Sequence, residues 1–327
     1  MTKDMCSERT WQLLQMLSDG KFHSGEDLAA QLGISRASVF NSVKQAAEYG
    51  IGVQRIRGRG YRLPQTWERL DKERIQQWLG SGQAGFDIEI LQQASSSNTL
   101  LMQRAATGAP SGTILAVERQ TAGRGRLART WHSGLGTGLT FSMIWRFDCG
   151  LNALSGLSLA VGVGLVRALS KLGVQGVSLK WPNDLMTSTG KLGGVLIEAQ
   201  GDMLGPSAVV IGIGINYTLP EKLVEQIDQA ASSLTEICEV MPSRNQLLAA
   251  IIQELAGMLK GFAADGFAPL REEWQKYHGN QGGEVRLKMP DGSNTIGVAL
   301  GVSETGELCL KNSQGIQRYN SGEVGAM

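Results

Sequence analysis

Arg124, Arg126 and Arg129 crowd one short stretch of the chain, residues 118–131, ERQTAGRGRLARTW, with Gly123 and Gly125 set among them. Glycine lets the backbone turn tightly or take a positive φ, so the guanidinium groups can converge on one anion, a phosphate or a carboxylate. From these residues alone a solvated basic loop, or an arginine–glycine segment holding nucleic acid, ranks level with a ligand site. The flanks decide between them. Residues 114–117, ILAV, and 139–145, LTFSMIW, both read as strands, which pins the loop between sheet elements. A pinned basic loop is more often a small-ligand site.

Three further pieces go with the loop: Ser96-Ser97-Asn98, Lys180-Trp-Pro-Asn-Asp184, and Gly190-Lys-Leu-Gly-Gly194 ahead of a strand. Lys191 stands at the mouth of that strand, where a charge is costly unless it meets an anion; a snorkelling surface lysine is the plain alternative. The segment is not a P-loop, because Leu185 stands where the first glycine belongs and Leu192 replaces the Ser or Thr that would hold magnesium. Residues 134–138, GLGTG, are no dinucleotide fingerprint either, since Leu139 occupies the third glycine position. His23, His132 and His278 lie far apart with no paired Ser or Cys nucleophile, which points to structural or surface roles. Any ATP is therefore held by a site of another kind.

GRGR-x-x-R-x-W, KWPND and GKLGG in this order resemble the biotin protein ligases, and with the N-terminus included the bifunctional ligase–repressors of that family, over nearly the whole chain. Two positions depart from the family pattern, Ala128 where glycine is usual and Ser97 where threonine is usual. The resemblance implies a biotin–[acetyl-CoA-carboxylase] ligase. Biotin's carboxylate attacks the α-phosphorus of ATP, pyrophosphate leaves, and biotinyl-5′-AMP then passes its acyl group to a lysine of a biotin carboxyl carrier protein. It also implies site roles. Ser96, Ser97, Asn98 and Gln120 hold biotin, and Arg124, Gly125 and Arg126 close over its carboxylate and the phosphates. Lys191 sits at the carboxylate and α-phosphate junction, and Lys180 and Asp184 flank the phosphates. Asp184 is the candidate to help place Mg²⁺ or orient the incoming lysine. Arg129, Trp131, Asn183 and Asn216 are candidate nucleotide contacts. Lipoate-type acyl ligation, and a DNA-binding regulator whose inactive ligase site only senses ligand, are the alternatives; the intact motif set argues against the second and KWPND against the first.

The N-terminal segment has its own chemistry. Ser24 and Ser35 are natural caps for two short helices joined through Gly33, and Trp11, Leu13, Leu14 and Leu17 give a helix before them its apolar face. The third helix carries Arg36, Ser38, Asn41, Ser42 and Lys44 on its expected outer face, the donors of a recognition helix. Residues 53–63, VQRIRGRGYRL, read as a hairpin wing with Arg57 and Arg59 near its tip. Residues 1–63 hold nine Lys or Arg against six acids, a net +3, and Glu48 is the only acid after residue 35. A helical interaction module with a solvated basic face is the bland alternative, and the placement of the wing favours DNA. One winged helix reads one half-site, so repression calls for a dimer on operator DNA. By the resemblance, biotinyl-5′-AMP is the corepressor that promotes that homodimer.

The fold class expected is α+β in three parts: a winged helix-turn-helix over residues 1–66, a mixed α/β ligase domain of the class II biotin ligase type over 67–278, and an SH3-like β-barrel over 279–327. Residues 64–70 read as a linker. Helices are expected at 71–79, 99–106, 157–172, 245–262 and 269–278, with strands at 177–181, 194–199 and 208–215. From Gly283 onward, turns at Asp291-Gly292, Thr305-Gly306 and Gln314-Gly315 punctuate short strands. The 327 residues suffice for two or three domains. Cys6, Cys149, Cys238 and Cys309 are scattered, without metal-ligand or disulfide-framework spacing, which suits a reducing cytoplasm. No apolar run approaches the ~18 residues a membrane span needs, so no membrane partner is expected.

Overall fold

The computed structural model describes residues 6–64, 67–80 and 85–326. Helices α1 (Glu8–Leu17), α2 (Gly25–Leu32) and α3 (Arg36–Glu48) are each opened by a serine whose hydroxyl accepts a backbone N–H three residues on: Ser7 from Thr10, Ser24 from Asp27, Ser35 from Ser38. Gly33 ends α2 at φ 62°, a left-handed cap that L side chains rarely adopt. Strands β1 (Gln54–Ile56) and β2 (Gly60–Arg62) pair antiparallel as the wing. Gly60 seats the wing on the helices: a Cβ there would lie 1.9 Å from the His23 carbonyl oxygen.

Residues 67–70 are packed into the domains on either side and do not form a free linker. Trp67 lies 5.3 Å from Trp11, ring to ring, and both belong to the winged-helix core together with Leu135. The Leu70 N–H donates to Glu118 and the Asp71 N–H to Asn245, which also donates to the Arg69 carbonyl. At the centre of this clamp Arg244 and Glu118, both fully buried, face each other at 2.8 Å.

After α4 (Lys72–Leu79), a seven-stranded sheet runs in the order β3 (Asp87–Ala94), β4 (Thr113–Gln120), β5 (Gly138–Phe147), β9 (Ser207–Asn216), β8 (Lys191–Gly201), β7 (Asp184–Met186), β6 (Ser178–Lys180). Only the β3–β4 pair is parallel. Helix α5 (Ser97–Ala106) crosses between those two strands. The sheet is covered on both faces, so β4 reads as an unbroken apolar run: Ile114 and Ala116 enter the main core, while Leu115 and Val117 enter a smaller one under α5. Helix α6 (Leu157–Lys171) supplies the main core.

Short helices α7 (Glu221–Val224) and α8 (Leu234–Ile237) lead to α9 (Arg244–Asp265), which is long and apolar enough to cross a membrane; its Leu247, Leu248, Ile251 and Leu255 are buried in the protein core. Helix α10 (Arg271–Tyr277) ends at His278, which is buried against Trp274 at 4.6 Å between rings; burial pulls its imidazole below the usual histidine range. Five antiparallel strands follow, β10 (Glu284–Lys288), β11 (Asn294–Val302), β12 (Leu308–Asn312), β13 (Gly315–Tyr319) and β14 (Glu323–Ala326), in the order β13-β12-β11-β10-β14. This β module is fastened to the ligase domain by Trp181 Nε1 donating to the Gly306 carbonyl at 3.0 Å and Arg271 Nε to that of Val302 at 2.7 Å.

Candidate active site

A cavity of about 410 Å³ opens where the 118–131 loop lies over the ends of β6, β7 and β8. One end is neutral and hydrogen-bonding. Ser96, Ser97 and Asn98 at the start of α5 are buried, and the Ser97 N–H donates to Gln120 Oε1 at 2.7 Å. Ser97 Oγ is 2.7 Å from Ser142 Oγ, which in turn donates to Asn98 Oδ1 at 2.5 Å. Two glycines of β9 make room here: a Cβ on Gly212 would lie 2.1 Å from Asn98 Oδ1, and one on Gly214 2.4 Å from the Trp131 ring. Ser96 also caps α5, so the capping and ligand-facing readings of these residues coexist.

The other end is charged. Lys191 Nζ lies 2.7 Å from Asp184 Oδ1, with 17 % and 13 % of their side chains exposed. That oxygen receives no well-directed hydrogen bond from the described residues, so the contact is mainly coulombic and the carboxylate keeps capacity for a further donor. Asp184 stands opposite Gly194 in the β7–β8 ladder, and a Cβ on Gly194 would crowd Lys191 Nζ at 3.4 Å. Lys180 pairs with Asp184 across the β6–β7 turn, where the Trp181–Pro182 peptide is cis. Asn183 anchors this turn by donating to the Val195 carbonyl at 2.8 Å. Among the described residues no three His, Cys, Asp or Glu side chains cluster to hold a metal ion. The donor set therefore fits a Mg²⁺ carried on phosphates and not a metal caged by protein.

The arginines do not converge. The loop folds on itself as a small bridged hairpin, Trp131 N–H to the Gly123 carbonyl at 2.9 Å and Gly125 N–H to that of Arg129 at 2.7 Å. From it Arg124 Nη2 reaches Glu198 at 2.7 and 2.9 Å, Arg126 Nη1 reaches Asn183 Oδ1 at 3.4 Å, and Arg129 reaches Glu323 of the β module at 2.5 Å. Arg126 is the one turned inward: burial lowers its pKa from the usual value, partly offset by Asp184 and Glu323. At the tip Leu127 and Ala128 take φ 53° and 59°, so the position where glycine is the family habit does adopt a left-handed backbone.

The cavity wall includes each residue expected at the ligands except Asn216. Asn216 is buried, and its amide donates to the Lys191 carbonyl at 3.2 Å and the Ser232 carbonyl at 3.0 Å; it fastens the Lys191 strand from outside the cavity wall. Sequence reasoning missed Glu198, Ser142 and Glu323. An acid inside the apolar run 195–199 was the available signal for Glu198, because such a charge needs a partner.

In the winged helix, Arg36, Asn41 and Lys44 are exposed on α3, and Arg57 and Arg59 are exposed at the tip of the wing. Ser38 is half-buried. Ser42, expected on the outer face, is buried at 6 % exposure, because it falls three residues after Val39 and four before Ala46 on the side packed inward.

A winged helix, a mixed-sheet ligase domain with this bipolar cavity and a small β module together define a DNA-binding member of the biotin/lipoate ligase class. The sequence profile of the biotin/lipoate A/B protein ligase family matches residues 90–216, an HTH domain matches 9–62, and the biotin protein ligase C-terminal domain matches 282–324. The chain is 35% identical to the bifunctional ligase/repressor BirA of Salmonella typhimurium over 95% of each chain. It is 34% identical to that of Escherichia coli over 96% of this chain and 95% of the relative. The biotin protein ligase from Aquifex aeolicus in complex with biotin and ATP superposes with TM-score 0.62 at 30% identity, covering 73% of this chain and 97% of that one. The chain belongs to the bifunctional ligase/repressor BirA family.

Proposed function

We infer that the chain is a biotin protein ligase and biotin-operon repressor. It adenylates biotin with ATP, passes the biotinyl group to a lysine of a biotin carboxyl carrier protein, and binds operator DNA through its N-terminal domain. The observation that carries this reading is the bipolar cavity: buried hydroxyls and amides at one end suit a neutral ureido ring, and Lys191, Lys180 and Arg126 at the other suit a carboxylate beside phosphates. Ser96, Ser97, Asn98 and Gln120 hold the ring by donating to and accepting from its polar edge. Lys191 meets the substrate carboxylate and the α-phosphoryl oxygens, where charge builds as the carboxylate attacks phosphorus and pyrophosphate leaves. Lys180 flanks the phosphates, whose tail a Mg²⁺ carried on the nucleotide would neutralise. Arg126 covers the mixed anhydride and excludes water. In the second half-reaction Asp184 orients the incoming lysine ammonium, which gives up a proton to solvent; the neutral amine attacks the acyl carbon, the acyl–oxygen bond breaks, AMP departs, and the amide nitrogen loses its second proton. Pyrophosphate release that depends on biotin, and not on lipoate, is the expected result; release with lipoate alone overturns the reading.

DNA recognition uses Arg36, Asn41 and Lys44 on α3 with Arg57 and Arg59 on the wing. The site of action is the cytoplasm. The adenylate-bound chain forms a homodimer on a palindromic operator, because ordering the 118–131 loop lowers the entropic cost of assembling an interface on the central domain. Sedimentation with and without biotin and ATP, followed by gel shift on the protein's own promoter, is expected to show dimer formation and at least tenfold tighter DNA binding with both ligands. Deleting residues 1–63 abolishes the shift and leaves ligase activity. Equal self-association and equal DNA affinity in both states would leave a ligase without ligand-controlled repression.

A further inference from the structure

Glu198 touches both the neutral end of the cavity and the base of the arginine loop. It sits on β8, seven residues along the strand from Lys191, with its side chain 26 % exposed. Its two carboxylate oxygens accept from Arg124 Nη2 at 2.9 and 2.7 Å, and one of them, Oε2, also accepts from Asn98 Nδ2 at 3.0 Å. Asn98 continues through Ser142 and Ser97 to Gln120, and Gln120 is three residues before Gly123 in the same loop that carries Arg124. The contacts close a circuit: loop, Gln120, Ser97, Ser142, Asn98, Glu198, Arg124, loop.

We propose that Glu198 is the positioning residue that couples the ring-binding end of the cavity to the base of the arginine loop, with Arg124 serving as its counter-ion and not as a ligand for the substrate anions. The inference rests on the ligase reading given above and adds a division of labour to it. Glu198 neutralises Arg124, so substrate anions are left to Lys191, Lys180 and Arg126. A carboxylate shared between a loop arginine and a ring-facing asparagine lets each fix the other's rotamer. Filling the ring end therefore stiffens the loop base, and a loosened loop base disturbs the ring end. The Arg124–Glu198 pair is too exposed for its charge alone to matter much to stability. Its worth lies in geometry.

The test is a double-mutant cycle of Glu198→Gln and Arg124→Gln in the full-length chain, read by biotin-dependent pyrophosphate release and by the dissociation rate of the bound adenylate. Each single variant is expected to raise the KM for biotin about tenfold and to speed adenylate release by a similar factor, while the KM for ATP and kcat stay within twofold. The double variant is expected to be no worse than either single one, because both remove the same strut. Arg124→Gln alters a half-exposed side chain and tests the idea even if Glu198→Gln folds poorly. Additive effects, or a raised KM for ATP in place of biotin, overturn the proposal. Wild-type protein that forms no biotinyl adenylate is a separate outcome: it overturns the ligase reading and the present inference with it.

Discussion

Lys191→Ala folds normally and loses adenylate formation by about 10²–10³-fold, the loss expected when one preorganised cation aimed at developing charge is removed. The fold survives because the strand is held by backbone: the Lys191 N–H donates to the Ala230 carbonyl, and the Lys191 carbonyl accepts from Ser232 and from Asn216. The side chain forms an ion pair with Asp184 and is mostly enclosed. Its charge meets little competing water, so in the proposed placement the α-phosphoryl group would feel it strongly as the bond to pyrophosphate breaks. The loss should fall on kcat and kcat/KM together. A variant with unchanged kcat and a raised KM for biotin would show that Lys191 holds the ground state only.

Arg244→Ala should cost about 3–5 kcal/mol of stability, the usual penalty for leaving one partner of a buried ion pair alone. Arg244 is fully buried and has several anchors: Glu118 Oε2 at 2.8 Å, the Glu68 carbonyl at 2.7 Å and the Gly138 carbonyl at 2.7 Å. Truncation strands the fully buried carboxylate of Glu118 on β4, the Gly138 carbonyl at the start of β5, and the Glu68 carbonyl on the segment that joins the winged helix to the ligase domain. The midpoint of thermal unfolding of the ligase domain is expected to fall by roughly 10 °C. Adding Glu118→Gln to Arg244→Ala should return part of the loss, since the stranded charge is then gone. A fall below about 2 °C for the single variant would mean that the apolar packing of Trp67 and Trp11 holds the segment without this clamp.

Much of this was legible in the sequence for physical reasons. The serine caps of α2 and α3, Gly33 between helices and the arginine-tipped wing are local features, decided within a few residues. KWPND and GKLGG announce a site because polar groups beside an apolar strand need a purpose, and the fold brings both to one cavity. Illegible features depend on distant partners. That Arg124, Arg126 and Arg129 diverge follows from Glu198, Asn183 and Glu323, none of which lies in the loop. Arg244 reads as an ordinary helix N-terminus until Glu118, far away in sequence, is seen across from it. Asn216 ends a strand in a motif that looks ligand-facing, and only the position of Ser232 shows its amide to be occupied. Strand β6 falls inside the strand expected at 177–181, but β7 is three residues with no period of its own, so the placement of Asp184 on a strand could not be read.

The left-handed pair Leu127 and Ala128 gives the loop a mechanical character. Residues with a Cβ in that region cost about 1–2 kcal/mol each relative to the right-handed helix. The folded-over loop is thus a spring held bent by its bridge contacts and its arginine partners. Whatever occupies the cavity must keep it bent. Each kilocalorie stored there favours the relaxed loop by about fivefold, so on the ligase reading a contact from Arg126, the arginine turned inward, to a bound anhydride would add to the catch. Once acyl transfer removes the anhydride, relaxation of these two residues is expected to shorten the stay of AMP.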